Sequence, residues 1–454
     1  MGKADTEQLV RLLRSHPRAG SDLLCRLMGG INRSTLARML QALGDSVVRR
    51  GGSRRIRYAL RRSLRGKAGG IPLFAIDETG AGREIALLDL TQPQGSALAY
   101  AEAFAWPVEG DTADGWFEGL PYPLIDMRPQ GFIGRNFARR HALDLGVAEN
   151  PDLWSEDDLT QVLASHGHDQ PGNLLLGEAA FRRMLEGRRS GGSPPLADAE
   201  IEAAYPQLAA DALAYGLAAS SAGGEFPKFT AARRMGEHVQ AVIVKFSGAG
   251  DTPAERRWSD LLVCEHLAAR ILAPELGVDA APSTVHRFAG RSFLEVQRFD
   301  RHGEFGRSAV CTLASLNPAL LGLSAPWPKL AEALQRRGCL AGADVEKIAR
   351  LWWFGRLIAN SDMHDGNLAF RPGLSLAPAY DMLPMAYAPL RGGELPAYTY
   401  QPELPLPREA QTWRQAAAAA QTYWQRCADD TRISADFRRQ CESNAQSLQR
   451  LPAP

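Results

Sequence analysis

Apolar residues recur at helical spacing in three short stretches near the N-terminus of the chain. The apolar faces of the three predicted helices are made by Leu9, Val10, Leu12 and Leu13, then by Leu23, Leu24 and Leu27, then by Leu36, Met39 and Leu40. Ser21 can cap the second helix, and Asn32 or Ser34 can cap the third. Gly29-Gly30 falls between the second and third helices, where a helix-turn-helix needs a tight turn.

After Gly44 the pattern changes to two β-like runs around glycines, between Val47 and Leu60. Three helices followed by a hairpin predict a winged helix-turn-helix over residues 1–66. The residues that the third helix would present to the major groove of duplex DNA are Arg33, Ser34, Thr35 and Arg38. The wing residues that would meet phosphate or the minor groove are Arg49, Arg50, Arg54, Arg55 and Arg57.

The charge of the chain is divided unevenly along its length. Residues 1–67 hold 16 Lys and Arg against 4 Asp and Glu, whereas the rest holds 36 against 47. A basic head on an acidic body indicates a module that binds a polyanion, and duplex DNA is the expected partner. The alternative is a small helical domain whose arginines are solvated or dock on the acidic body of the same chain.

A second region begins at Ile71 with short β-like runs, and helical runs follow them. The strands are expected at Leu73–Ile76 and Glu84–Leu88, and the helices around Arg135–Ala142 and Glu156–Ser165. We predict an α+β subdomain over residues 71–215, with linkers at Ser63–Gly70 and Gly187–Pro195. His166-Gly167-His168-Asp169 could hold a metal, but one glycine-broken run without distant partners favours a scaffold role.

Composition excludes several classes of protein. The chain has 454 residues, 45% hydrophobic and 23% charged, so it can bury substantial cores. Its six cysteines are scattered with no CxxC pair, which indicates neither a zinc site nor a disulfide framework. Because no apolar stretch approaches the roughly 20 residues that cross a bilayer, we expect a soluble, cytoplasmic protein with no membrane partner.

Two segments in the second half of the chain have residues suited to holding a polyphosphate. Ser220–Lys228 is rich in small residues, and Ala222, Gly223 and Gly224 would let backbone N–H groups approach a phosphate closely. Lys245 stands in the otherwise apolar strand Ala241–Phe246. A lysine in that position either snorkels from the edge of a sheet or is held for an anion.

The densest cluster of polar residues is Asn360–Asn367, which follows the aromatic helix Leu351–Phe354. Asp362 can accept or orient a hydroxyl proton, and Asn367 can ligate Mg²⁺ through its amide oxygen. Asp381 supplies a second carboxylate beside an apolar run and suits the main role in binding the metal. A phosphate cradle, a cation and paired carboxylates are together what phosphoryl transfer requires.

Four motifs in the same order resemble those of the HipA family of serine/threonine kinases. They are Ser-x-Ala-Gly at Ser220–Gly223, Gln297–Arg301 in place of the usual Glu-Arg-Phe-Asp-Arg hinge, Asn-x-Asp-x-His-x-x-Asn at Asn360–Asn367 with the Tyr380-Asp381 pair, and Gly-His-Asp-x-x-Gly at Gly167–Gly172. The resemblance covers residues 71–450, and the attached basic head is similar to that of the YjjJ-type subgroup.

The resemblance implies an α+β, two-lobed kinase fold related to phosphoinositide-3-kinases and protein kinases, which uses ATP and Mg²⁺. A small-lobe region that binds ATP would span residues 216–302, and an α-helical catalytic lobe 303–454. The implied roles are ATP binding for Lys245, Gln297, Arg298, Phe299 and Tyr380, catalysis for Asp362 with support from His364, and magnesium binding for Asn367 and Asp381. Ser220 matches the family's autophosphorylated serine, where about −2 charges would repel the triphosphate.

By the same resemblance the protein would be a toxin of a toxin–antitoxin system that phosphorylates a protein such as a translation factor and meets an antitoxin. Gln297 and Asp365-Gly366 depart from the family's usual residues and leave the substrate preference open. An alternative is a transcriptional regulator in which a catalytically inactive kinase lobe senses nucleotide. Arg408–Leu451 predicts two amphipathic helices that pack on the large lobe.

Overall fold

The structure, a computed structural model, describes residues 3–190, 194–214 and 226–451. It combines helices with antiparallel sheets, as the predicted α+β class requires. The chain divides into two units, one of residues 1–77, 81–128 and 153–190, the other of residues 78–80, 129–152 and 191–454. The domain boundaries predicted at residues 66 and 215 therefore do not coincide with the division between these units, and they stay predictions.

The first unit contains the basic head and the region after it. Its helices are Lys3–Ser15, Ser21–Leu27, Arg33–Leu43, Tyr122–Asp126, Glu156–His166 and Glu178–Arg189. Its strands are Ala19–Gly20, Val47–Arg50, Arg57–Leu60, Ile71–Ile76, Gly82–Leu90, Ser96–Tyr100, Trp116–Phe117 and Leu174–Leu176. The last five strands form one sheet in the order 116–117, 96–100, 82–90, 71–76, 174–176.

The three predicted N-terminal helices and the hairpin after them are present. Asn32 caps the third helix, because its Oδ1 accepts a hydrogen bond from the Thr35 backbone N–H at 2.8 Å. The prediction that Ser21 caps the second helix was wrong. Gly20 occupies the cap position, and no side-chain hydrogen bond closes that first turn.

Ser63–Gly70, predicted as a linker, is packed within the first unit. Leu64 is only 6% exposed and belongs to the core of the five-stranded sheet. Arg62 on one side and Arg65 within the segment form ion pairs with acidic residues at the start of helix Glu156–His166. A segment rich in small and basic residues is typical of a linker, but the buried Leu64 and the ion pair of Arg65 anchor this one within its unit.

The second unit contains the predicted chemistry. Its helices are Gly131–Leu145, Ile201–Ala214, Pro253–Leu276, Leu313–Leu320, Trp327–Arg336, Gly342–Leu357, Ala410–Asp429 and Ala435–Gln449. Its strands are Lys228–Met235, His238–Phe246, Ser283–Phe288, Arg291–Gln297, Arg301–His302, Gly306–Arg307, Cys311–Thr312, Ala369–Arg371 and Ser375–Leu376. The four longest strands form an antiparallel sheet in the order 283–288, 291–297, 238–246, 228–235.

Helices cover this sheet and continue into a helical region. Helix Pro253–Leu276 packs against strand Arg291–Gln297 and against helix Ala410–Asp429. The two C-terminal helices are present as predicted, and Trp413, Trp424 and Phe437 are buried in their packing. Among the described residues, no helix combines the length and the apolar character that crossing a bilayer requires.

Candidate active site

Lys245 lies in the interior of the four-stranded sheet. Its strand is flanked on both sides, by Arg291–Gln297 and by Lys228–Met235. The residue is 6% exposed, and its Nζ lies 2.7 and 2.8 Å from the two carboxylate oxygens of Glu265. Because a lysine at this depth cannot reach water from a sheet edge, the snorkelling alternative does not describe it.

Glu265 is a functional candidate that the sequence argument missed. It lies on helix Pro253–Leu276, which begins with a capping box between Thr252 and Glu255 and has proline at its first position. Glu265 is 5% exposed, so its carboxylate needs the lysine as a partner. The sequence feature that could have identified Glu265 is its position as an acidic residue within the mainly apolar run Leu261–Leu267.

Asp381 reaches the same lysine from the C-terminal part of the chain, and its carboxylate forms an ion pair with Lys245 Nζ. Its backbone has a φ of 55°, in the left-handed region that aspartate tolerates better than most residues. Just before it, Ala379 exchanges backbone hydrogen bonds with the segment that leads into strand Ser283–Phe288. These bonds fix where the chain turns, and the turn aims the carboxylate at Lys245.

The electrostatics of this cluster come from two cations and two carboxylates. Burial alone would raise the pKa of the Asp381 carboxyl, but Lys245 and Lys228 outweigh it and lower the pKa to about 2. Burial, together with the negative charge of Asp381, raises the pKa of Glu265. For Lys245, burial opposes the charge, yet Asp381 and Glu265 raise its pKa. The lysine therefore remains protonated and Asp381 ionised at neutral pH.

Lys228 is the second residue that sequence reasoning left without a role. It is the cross-strand partner of Lys245 in the ladder between their strands, and directly opposed residues point to the same face of a sheet. Its charge acts on both Glu265 and Asp381. The signal was its position at the end of the glycine-rich segment, where the strand begins.

Asn360 connects the loop of Asp362 to Asp381. It is 3% exposed, its Oδ1 accepts a hydrogen bond from the Asp362 backbone N–H at 3.0 Å, and its Nδ2 donates to the Asp381 carbonyl at 3.3 Å. Asn367 Nδ2 donates to the Asp362 carbonyl at 2.7 Å, which leaves its amide oxygen as the atom able to ligate a cation. The side chain of Asp362 itself is exposed.

His364 stabilises this loop from within. Its Nδ1 accepts a hydrogen bond from the Gly366 backbone N–H at 3.1 Å, at the start of a short 3₁₀ turn. The Gly366 carbonyl in turn accepts a hydrogen bond from the Tyr380 hydroxyl at 2.6 Å. Asn317 donates to the Asp365 carboxylate at 3.1 Å, so the unusual acidic residue of the loop has a fixed position.

The predicted hinge, Gln297–Arg301, begins at the last residue of strand Arg291–Gln297. The ring of Phe299 lies 5.9 Å from that of Tyr380, centroid to centroid, so the hinge contacts the segment that carries Asp381. The guanidinium of Arg298 binds both carboxylate oxygens of Asp300, at 2.9 and 3.0 Å. Its side chain therefore braces the hinge, and the backbone of Gln297 and Arg298 is bonded to neighbouring segments.

The predicted phosphate loop, with Ser220, Ala222, Gly223 and Gly224, lies outside the described residues. Within the described ranges no group of three or more His, Cys, Asp and Glu side chains is arranged to hold a metal ion. His166–Asp169 therefore does not form such a group, and these residues make the end of a helix and a 3₁₀ turn.

The predicted DNA-contacting residues fall into two groups. On the third helix, Arg33, Ser34 and Arg38 are exposed, although Arg33 also forms an ion pair with Asp22 at 2.7 Å. In the hairpin, the arginines turn to carboxylates of the same unit. These pairs are Arg50 with Asp89, Arg55 with Asp114 at 3.3 Å, and Arg57 with Asp111 at 2.6 Å. Arg49 is exposed, Thr35 is half-buried, and the side chain of Arg54 lies outside the described part of the chain.

The cluster in the second unit has the groups that a phosphoryl-transfer site needs. Two lysines can neutralise phosphate charge, Asp381 and Asn367 offer oxygen atoms of the kind that Mg²⁺ prefers, and Asp362 can orient a hydroxyl. Hydrogen bonds of Asn360 and Asn367 connect Asp381 with the loop of Asp362, and the ion pair of Asp381 with Lys245 joins that lysine to the same framework.

Comparison with known proteins extends this picture to the whole chain. Residues 67–185 match the family described as YjjJ-like toxin, middle domain, and residues 220–448 match the HipA-like C-terminal domain. The curated Toxin YjjJ of Escherichia coli (strain K12) is 37% identical over 448 residues, which is 98% of this chain and 98% of that protein.

Two solved structures are more distant. One is a complex of HipA, HipB and operator DNA from the Shewanella oneidensis MR-1 toxin–antitoxin system, with 16% identity, a TM-score of 0.46, and coverage of 83% of this chain and 95% of that chain. The other is the Helicobacter pylori proinflammatory kinase CtkA, with 11% identity, a TM-score of 0.32, and coverage of 48% and 90%. The identity over the full length and the two matched domains together establish that this chain belongs to the family of YjjJ-like toxins with a HipA-like C-terminal domain.

Proposed function

We propose that this protein is an ATP- and Mg²⁺-dependent serine/threonine protein kinase that acts as the toxin of a toxin–antitoxin system. The observation that carries the proposal is the cluster of the buried Lys245 and Glu265 with the partly exposed Asp381, which Asn360 connects to the loop of Asp362. Burying a lysine with its carboxylate partners contributes little net free energy to folding, and clusters of this kind are concentrated at functional sites. The toxin role is supported by similarity to Toxin YjjJ.

The residues present fit magnesium and a triphosphate. Asp381 is ionised and its side chain is 32% exposed, and the amide oxygen of Asn367 is not used by the Asn367–Asp362 bond. Mg²⁺ is usually bound by one or two protein oxygens together with phosphate oxygens, so two protein ligands are enough. ATP bound there would supply the transferable phosphoryl group, and Mg²⁺ would neutralise part of its charge.

The side chains of this chain then have distinct roles. Glu265 holds Lys245 with two hydrogen bonds, so the ammonium can exchange Asp381 for a phosphate oxygen without losing all of its partners. Lys228 adds a second positive charge on the same face. Asp362 orients the hydroxyl of the protein substrate and accepts its proton, and Asn360 and His364 keep that loop in place.

The test is incubation of the purified full-length protein with γ-labelled ATP and Mg²⁺, alone and with cell lysate. We expect label on the protein itself or on a lysate protein, and no label with Asp362→Ala. The exposed Asp152→Ala is the matched control, and it should leave labelling unchanged.

Persistent labelling by Asp362→Ala would contradict the assigned catalytic residue. Absence of label from the wild-type protein would favour the alternative, a regulator with an inactive kinase lobe that senses nucleotide. Mapping the labelled residue distinguishes serine or threonine from other acceptors and tests Ser220 directly. Phosphoproteomics after expression of the wild-type and Asp362→Ala forms would identify the target protein.

We also propose that the N-terminal region binds duplex DNA through its third helix. Arg33, Ser34 and Arg38 are exposed there, and the helix is capped and packed by a buried apolar face. Titration of duplex DNA at rising salt tests this proposal, because neutralised phosphates give a linear loss of log affinity with log salt. Binding that does not depend on salt would contradict it.

A separate antitoxin would be sought by co-purification from the native host.

A further inference from the structure

The arginines in and beside the N-terminal hairpin form two kinds of ion pair within the first unit. In the first kind, Arg50 and Arg61 share the carboxylate of Asp89. The Asp89 side chain is 1% exposed, and those of the two arginines are 17% and 16% exposed. Breaking a pair at this depth would leave a buried charge without a partner, so these two arginines are a fixed part of the fold.

The second kind of pair lies nearer the surface. Arg55 Nη2 is 3.3 Å from a carboxylate oxygen of Asp114, and Arg57 Nη1 donates to the Asp111 carboxylate at 2.6 Å. The side chains of these arginines are 70% and 40% exposed. Exposed ion pairs contribute little free energy, because water and salt screen them. Arg55 and Arg57 can therefore exchange their carboxylates for another anion at small cost.

Both of these carboxylates belong to one loop, residues 109–115, whose shape is fixed by its own hydrogen bonds. The Trp116 backbone N–H donates to the Asp111 carbonyl at 2.8 Å. The Tyr100 hydroxyl donates to the Thr112 carbonyl at 2.9 Å and ties the loop to the five-stranded sheet. Neither bond involves an arginine, so the loop does not need its ion pairs with the hairpin to keep its conformation.

We propose that the loop 109–115 is a built-in competitor of DNA. Carboxylate and phosphate oxygens accept the same charge-assisted hydrogen bonds from a guanidinium group. Asp111 and Asp114 therefore occupy Arg57 and Arg55 in place of phosphates, and the protein binds duplex DNA more weakly than its exposed arginines would allow. This inference rests on the proposal that the N-terminal region binds duplex DNA, and it adds a contact that limits that binding.

Fluorescence anisotropy of the full-length protein with a labelled duplex, over a range of salt concentrations, tests the competition. Asp111→Asn combined with Asp114→Asn should raise the affinity at low salt about tenfold. It should also steepen the slope of log affinity against log salt by about two, because two more phosphates are neutralised. The matched control is Glu178→Gln combined with Glu186→Gln, at two exposed positions of the same unit, one of them paired with Arg182. The control should keep the wild-type slope.

Removing the arginines separates competition from a general loss of negative charge. Arg55→Gln combined with Arg57→Gln should leave the slope nearly unchanged in the wild-type protein, because the loop already occupies both side chains. In the protein with both aspartates replaced, the same change should lower the slope by about two and cancel the gain in affinity. Asp111→Asn alone, at a side chain that is 49% exposed, should give about half of the slope change, and it keeps the test valid if the double variant is less stable.

Three outcomes would overturn the competition while leaving DNA binding by the third helix in place. They are a wild-type slope in both aspartate variants, an equal steepening in the control, and a slope in the aspartate variants that does not respond to loss of the arginines. If neither the wild-type protein nor the aspartate variants bind the duplex at low salt, the proposed DNA binding fails, and this inference fails with it.

Discussion

Lys245 is a cation in the interior of a sheet, and its stability there depends on carboxylates supplied by two other elements. Glu265 is 20 positions away in the sequence and Asp381 is 136 positions away. Removing water from a charged group costs several kcal/mol, about as much as its partners return when the geometry is good. The cluster is therefore sensitive to the loss of any one charge.

Replacing Glu265 with glutamine tests how the lysine is positioned. Glutamine has nearly the volume of glutamate but no negative charge. Lys245 would therefore stay paired with Asp381 and compete with magnesium for that carboxylate. We expect the initial rate of labelling from ATP to fall by about 10²-fold, the cost of a misplaced catalytic group. Glu275→Gln, on an exposed position of the same helix, should label at the wild-type rate. Equal rates for the two variants would show that Glu265 has no part in the reaction.

Asp89 has a comparable role in the first unit. It is 1% exposed and forms ion pairs with Arg50 and with Arg61, the latter at 3.0 Å. Asp89→Asn leaves both guanidinium groups without their anion, so we expect the free energy of unfolding of this unit to fall by roughly 3 kcal/mol. Urea denaturation followed by circular dichroism measures this change. The exposed Asp45→Asn is the control, and a shared midpoint would contradict the prediction.

At the scale of elements, the hairpin Val47–Leu60 is joined to the rest of the first unit more firmly than a free wing would be. Val48 and Ala59 are buried against Ala97 and Trp116 of the five-stranded sheet. Apolar burial of this kind holds the hairpin in place, with its arginines beside Asp89 of that sheet and beside Asp111 and Asp114 of the loop before strand Trp116–Phe117. The third helix keeps its outward side exposed.

The third helix and the hairpin should therefore respond differently when DNA is titrated. Arg38→Ala should weaken binding of duplex DNA and reduce the slope of log affinity against log salt by about one. Arg50→Ala should leave that slope unchanged and lower stability instead, because Arg50 is engaged with Asp89. Fluorescence anisotropy over a range of salt concentrations measures both. A loss of slope with Arg50→Ala would show that the hairpin releases its arginine to bind phosphate.

At the scale of the whole molecule, the charge division along the sequence is partly cancelled in the structure. Among the described residues, six arginines between positions 50 and 65 form ion pairs with aspartates of the 71–190 region. Fewer positive charges are therefore available to bind DNA than the composition of the first 67 residues indicates. Ion pairs of this kind are what the alternative predicts, in which the basic head docks on acidic residues of its own chain.

Stability of the whole chain should also depend on pH through His266. Burial lowers the pKa of this imidazole to about 4, and the charges of Arg432 and Arg270 act in the same direction. In the unfolded chain the pKa is about 6.5. Between these pH values the unfolded state binds more protons than the folded state. The contribution of His266 to the free energy of unfolding is therefore fully present above about pH 6.5 and is lost as the pH falls towards 4.

The measurement compares urea midpoints at pH 7 and pH 5 for three proteins. We expect the wild-type midpoint to fall at pH 5, and His266→Gln to show a smaller fall because the titrating group is gone. His238→Gln, at an exposed position, should behave like the wild-type protein. An identical pH response in His266→Gln would mean that other groups carry the effect.

The sequence by itself determined the elements and named several of the residues that lie together in the candidate site. Helical spacing located the N-terminal and C-terminal helices, alternation and glycine located the hairpin, and a polar loop after an aromatic helix located Asp362 and Asn367. These features are local, since each is encoded by residues within a few positions of one another. Ser21 shows the limit of such reasoning, because a cap depends on the exact residue at which the chain enters the helix.

Only the tertiary structure decided which charges meet. The roles of Glu265, Lys228 and Asp89 arise from partners on other parts of the chain, which their sequence positions do not identify. Electrostatic pairing acts through space, so a linear sequence can supply the charged groups but not the distances between them.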